Sequence, residues 1–189
     1  MTIESEKETD WVERIGKPAA DCIAEMVAAL ECDYERLEEL REERESFAFD
    51  PDANTAPDGP GYINDREAWA GENPEDAEEL AELEAAAGEC QDREDAEGRI
   101  QEDALSVEVR SEWLGLSAYA TDSKVPGEYL ILLTTGGPAV RIRGELDGDG
   151  EPSRAWLEVQ DWFKPWTEYY RPGLDETLLT YSRCFYFGQ

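Results

Sequence analysis

The chain has 189 residues, with 47 Asp and Glu against 17 Lys and Arg, no histidine, and a formal net charge of −30. Its 40% hydrophobic and 10% aromatic content is too high for a disordered acidic tail, while a field of this sign repels nucleic acid and anionic membrane. The lack of histidine excludes Ser-His-Asp and Cys-His catalysis, and no apolar run approaches the ~18 residues needed to span a bilayer.

The charge is uneven. Residues 1–103 carry 34 acids and 9 bases, a net of −25; residues 104–189 carry 13 and 8, a net of −5. A salt-adapted surface would be acidic all round, so a field confined to one half points to a basic partner. We therefore divide the chain into an acidic helical region, 1–103, and an antiparallel sheet with a terminal helix, 104–189.

Residues 1–16 read as a polar lead-in with no basic region and apolar stretch, so a cytoplasmic protein is expected. Pro18 suits a first helical turn. From Ile23 through Met26, Val27, Leu30, Tyr34, Leu37, Leu40 and Phe47, apolar residues recur mostly three or four apart. The spacing predicts one long amphipathic helix over roughly 18–47. Its other face carries Glu31, Glu35, Glu38, Glu39, Glu42, Glu43 and Glu45, partly relieved by Arg36, Arg41 and Arg44, and the last five of these acids are the candidate contacts.

Prolines and glycines over 50–62 break the helix. Asn73 as N-cap, Pro74 at the first position and Glu75 and Asp76 in the first turn then begin a second helix. Leu80, Leu83, Ala87 and Cys90 form its apolar side, and Gly88 and Gly98 weaken it before Ile100. The two helices are expected to pair as an antiparallel hairpin with their Leu/Ala stripes together. Glu75, Asp76, Glu78, Glu79 and Glu82 would then join the acids of the first helix on one face.

Residues 105–160 read as an antiparallel meander, alternating at 105–110 and 139–146, with further strands at 128–134 and 154–160 and turns at 135–138 and 148–152. Leu178, Tyr181 and Phe185 share a helical face near the end. The fold class is α+β: an acidic helical hairpin, an antiparallel sheet and a C-terminal helix.

Competing chemistries are weaker. Cys22, Cys32, Cys90 and Cys184 form no C-x-x-C pair, which favours reduced, mostly buried thiols over zinc. Asp147, Asp149 and Glu151 have calcium-loop spacing, with Glu158 at the twelfth position. Pro152 stands where that loop needs glycine, so a hairpin turn is expected. Thr134 to Gly137 lacks the Gly-Lys-Ser/Thr of a phosphate cradle. Trp156, Trp162, Phe163, Trp166, Tyr169 and Tyr170 have few bases among them and read chiefly as core with some exposed rings. No cofactor or metal is expected.

Magnitude favours the acidic face. Residues 72–103 carry a net of −12 and residues 31–45 a net of −5. Side by side, helices at 1.5 Å per residue would give about one charge per 2 Å, against about 1.7 Å for duplex DNA.

Glu108–Trp113, Tyr129–Leu146, Gln160–Glu168 and Cys184–Gly188 together resemble small uncharacterised proteins of phages and mobile elements. That resemblance implies action against a bacterial host and carries no activity residue by residue. With the acidic half, the whole chain looks like a DNA-mimic anti-CRISPR or anti-restriction protein. The expectation is a non-enzymatic inhibitor in the host cytoplasm. It would bind a basic DNA-binding groove of a defence complex through the ten carboxylates named above, without binding nucleic acid directly. One alternative is an interaction module whose aromatic sheet surface binds a partner, with the acidic hairpin for solubility and steering. Another is a carboxylate- and metal-dependent hydrolase or nuclease.

Overall fold

The computed structural model describes residues 3–47, 65–111 and 126–188. The expected break at 50–62 and the motif residues Glu112 and Trp113 lie outside them. Six helices are described: α1 (Ile3–Glu31), α2 (Tyr34–Ser46), α3 (Asp65–Glu72), α4 (Pro74–Ala87), α5 (Arg93–Asp103) and α6 (Leu174–Ser182). Five strands are described: β1 (Ser106–Ser111), β2 (Pro126–Thr134), β3 (Ala139–Leu146), β4 (Pro152–Gln160) and β5 (Thr167–Tyr169). The protein is α+β, with a helical hairpin in its N-terminal part, then a sheet and a C-terminal helix. It divides into two compact units. One holds Met1–Val27 with Glu97–Gln189, the other Ala28–Ala96.

In the first unit the strands lie in the order β1-β2-β3-β4-β5, every neighbouring pair antiparallel. Alternation assigns the faces. Tyr129, Ile131 and Leu133 of β2, Val140 and Ile142 of β3, and Leu157 and Val159 of β4 are buried. Pairing aligns Ile131 with Ile142, Ile142 with Leu157 and Leu157 with Tyr169, a continuous apolar row. Helix α6 packs against β4 and contributes Leu178 and Tyr181. The Phe187 ring lies 4.7 Å from that of Tyr129. Gly16 on α1 meets the Tyr169 ring so closely that a β-carbon there would overlap it.

Helix α1 starts at Ile3 instead of near residue 18, so the lead-in is helical. Trp11 and Ile15 are buried and extend the stripe of Ile23 further back along the same helix. Burial of these residues sustains the helix through the exposed Pro18, which removes one backbone bond.

The second unit corrects the single long helix. The chain stops at Glu31 and restarts at Tyr34, with the Asp33 carboxylate accepting the Arg36 N–H at 3.0 Å. The Tyr34 hydroxyl bridges the break by donating to the Ala29 carbonyl at 2.9 Å. Burial pushes that phenol up to about 12. Leu37, Leu40, Leu80 and Ala87 form the expected shared core, joined by Trp69 of α3. Helix α3 was not expected from the sequence. It ends where Asn73 donates to the Trp69 carbonyl through its backbone, at 2.8 Å, and through its side chain, at 3.1 Å. Asn73 precedes Pro74 as expected, yet its amide is spent on α3 and not on capping α4. Gly88, with φ 58°, ends α4.

Candidate functional site

All ten carboxylates of the expected contact face lie on the two helices of the second unit. Glu38, Glu39, Glu42, Glu43 and Glu45 are on α2; Glu75, Asp76, Glu78, Glu79 and Glu82 are on α4. Nine are exposed and Asp76 is half-buried. Glu38, Glu42 and Glu45 follow one another at helical spacing, as do Glu75, Glu79 and Glu82, so each helix displays a carboxylate row rising about 5 Å per turn. The apolar sides of the same helices hold Leu37, Leu40 and Leu80, which fixes the rows on a packed support.

Arginines enter the face from within. Arg36 on α2 reaches Glu79 and Asp76 of α4, at 2.8 and 3.0 Å, and Glu39 of its own helix at 3.5 Å. The hydrogen bond and charge of Glu79 outweigh desolvation and raise the guanidinium's already high pKa. Arg41 and Arg44 both reach Glu84, each at 3.4 Å. Three of the ten carboxylates are thus paired internally. Glu38, Glu42, Glu43, Glu45, Glu75, Glu78 and Glu82 make no ion pair among the described residues. The sequence shows the arginines, but which carboxylates they take depends on how α2 meets α4.

The unit comprising residues 28–96 contains 24 acids and 5 bases, a net of −19. The field is therefore concentrated more tightly than the division by sequence halves indicates.

The sheet unit presents a different surface. Opposite its buried face, Arg110 and Arg143 both bond Glu128, Arg154 bonds Glu145, and Arg141 bonds Glu158. The Trp156 ring sits among the Arg143 and Arg154 guanidinium groups, at 5.7 and 5.8 Å, and Arg141 lies 4.0 Å over Trp166. Of the six clustered aromatics expected mainly in the core, Tyr169 alone is buried. Trp156 and Trp166 are half-buried, while Trp162, Phe163 and Tyr170 are exposed. The reason is strand alternation: Trp156 belongs to the outer row of β4, and the other exposed rings follow the end of that strand.

The acidic turn at 147–151 has a structural use. Asp147 Oδ1 accepts the N–H groups of Asp149 and Glu151, at 2.9 and 3.0 Å. Glu158 is bound to Arg141 at 2.6 Å, inside β4. Among the described residues no three Cys, Asp or Glu converge to hold a metal, and no helix is long and apolar enough to cross a membrane. None of the four cysteines is in a disulfide. Cys90 alone is buried, contrary to the expectation of mostly buried thiols; Cys22 is exposed and Cys32 and Cys184 are half-buried.

Searches against protein-family models, curated proteins and solved structures find no match to this chain.

Proposed function

We propose that this protein is a non-enzymatic inhibitor that acts as a DNA mimic in the cytoplasm of a bacterial host. Its partner is the basic DNA-binding groove of a defence nucleoprotein complex, foremost CRISPR surveillance machinery. The observation that carries the reading is the rows of exposed carboxylates on α2 and α4, two helices that lie in a stretch, residues 28–96, whose sequence nets −19. Arginines and lysines that hold phosphates accept carboxylates with similar charge-assisted hydrogen bonds. Packing of the rows on the Leu37, Leu40 and Leu80 core favours affinity, because little ordering remains to be paid on binding. The host-defence context rests on the resemblance of the C-terminal motifs to proteins of phages and mobile elements.

The test is competition between this protein and target duplex for a purified CRISPR surveillance complex. The proposal expects mutually exclusive binding that weakens steeply with salt. Glu38→Lys, Glu42→Lys and Glu45→Lys together should weaken binding far more than any single aromatic substitution. Simultaneous binding of protein and duplex overturns the mimic.

A further inference from the structure

The turn after β4 carries a feature that the acidic helices do not explain. Residues 161–164 close on a hydrogen bond from the Lys164 N–H to the Asp161 carbonyl, at 3.0 Å. Phe163 occupies the third position with φ 61°, where such turns ordinarily place glycine or asparagine. Its side chain is fully exposed, at 102% relative accessibility, and the adjacent Trp162 is 65% exposed. The chain thus bears a left-handed backbone at a bulky residue, a conformation that L side chains disfavour, and leaves the ring in water as well. Strain at an exposed aromatic is an observation from which function is inferred.

The turn is held firmly. Asp161 Oδ1 accepts the Trp162 N–H at 2.8 Å, and Gln160 Nε2 donates to the Lys164 carbonyl at 2.9 Å. The Trp162 ring rests directly on Gly137, which leaves no room for a β-carbon there. Trp162, Phe163 and Trp166 line a concave surface with Gly137, Ala139 and Gln160. Arg141 lies 4.0 Å over the Trp166 ring.

Aromatic-lined grooves of this kind take extended proline-rich segments, whose backbone is already ordered and whose rings lie flat on indole faces. Charge at the rim narrows the choice. Asp161 is paired with Arg14 at 3.4 Å, whereas Lys164 is exposed and makes no ion pair among the described residues. A ligand carboxylate complements that ammonium group. A second copy of the chain, itself at −30, meets far greater repulsion than a segment with a single carboxylate does.

We propose that the groove formed by Trp162, Phe163 and Trp166 binds an extended, proline-rich segment of a partner protein, with a carboxylate on that segment meeting Lys164. Phe163 is the anchor, and its left-handed backbone is what projects the ring beside the groove. This site is independent of the carboxylate rows on α2 and α4.

The experiment titrates the full chain with two synthetic probes, a blocked octaproline carrying one glutamate and the same peptide carrying one lysine. Indole resonances and tryptophan emission report binding. The glutamate probe is expected to shift the Trp162 and Trp166 indoles and to bind several-fold tighter than the lysine probe. Phe163→Gly should weaken it about tenfold, the scale of losing one aromatic anchor, while the melting temperature holds or rises because glycine relaxes the backbone. Lys164→Glu should reverse the preference between probes. No indole shift with either probe, or full binding by Phe163→Gly, overturns the groove; equal binding of both probes overturns the carboxylate assignment. The titration uses neither DNA nor a surveillance complex, so its outcome stands apart from that of the competition assay.

Discussion

Arg36 on α2 donates through both Nε and Nη2 to one oxygen of Glu79 on α4, at 3.2 and 2.8 Å. The same guanidinium reaches Asp76 and Glu39, so one cation gathers three carboxylates of the acidic face. Exposed pairs of this kind add little stability and are screened by salt, but a planar fork fixes where its partners sit. Arg36→Met is therefore expected to lower the melting temperature only slightly, by less at high salt, with helicity retained. Binding to a basic partner should fall even though the variant is more negative. Thermal melts at two salt concentrations, run beside the competition assay, check both parts. Unchanged binding would restrict Arg36 to a local structural role.

The second unit rests on a small core. Leu40 is fully buried and Trp69 nearly so, and both lie in the cluster with Leu37, Leu80 and Ala87. Leu40→Ala should cost about 2–5 kcal/mol and Trp69→Ala about 3–5 kcal/mol. Either loss is large against the ~5–15 kcal/mol of a typical domain. Hydrogen exchange should therefore show α2 and α4 losing protection in both variants. Protection that survives Trp69→Ala would mean that α3 is dispensable to the support of the acidic rows.

Periodicity made the large features legible. The Leu37 and Leu40 stripe, its Leu80 and Ala87 partner and the strand over 128–134 are legible in the sequence, although the continuous apolar run from Tyr129 to Leu133 does not tell which face is buried. Local hydrogen bonds are not legible there. Apolar spacing runs unbroken from Leu30 to Tyr34 to Leu37, yet Asp33 caps a new helix between them. Helix α3, with 8 residues, and β5, with 3, are too short to show a period. Within the acidic face, residue types were legible but not the three-way grip of Arg36, which arises only when α2 meets α4. The left-handed Phe163 was hidden for a different reason: its residue type gives no sign of positive φ.

Alkaline pH should weaken the sheet unit. The Tyr181 hydroxyl donates to Asp103 Oδ2 at 2.7 Å, and burial first, then Asp103, raises the phenol well above its ordinary value of 10.0. Burial likewise pushes Tyr129 up to about 12. The folded state retains protons that the unfolded chain releases, so this stability is complete below pH 10 and declines above it. Tyr181→Phe removes the hydrogen bond to a carboxylate and should cost about 1.5–3 kcal/mol near neutral pH. Its alkaline loss should be shallower than that of the unaltered chain. Denaturant midpoints followed from pH 8 to pH 11 test the slope, and parallel curves would place the titration elsewhere.

Acid should act on the outer face through Glu128. Its carboxylate accepts from Arg143 at 2.7 Å and from Arg110 at 2.6 Å, and these cations, Arg143 foremost, hold it below its ordinary value of 4.5. A depressed carboxylate contributes stability above the unfolded value, and that contribution disappears as pH falls through the folded one. Glu128→Gln should therefore lower the melting temperature at neutral pH, with the gap to the unaltered chain closing as pH falls below about 4. Near-ultraviolet dichroism suits this test, since Trp156 lies 5.7 Å from the Arg143 guanidinium and reports on the same strands. A gap that stays constant from pH 7 to pH 3 would show that Glu128 acts by shape and hydrogen bonding alone. A closing gap would identify this cross-strand pair as one acid-sensitive element of the sheet, distinct from the carboxylates of α2 and α4, which lie in the other unit.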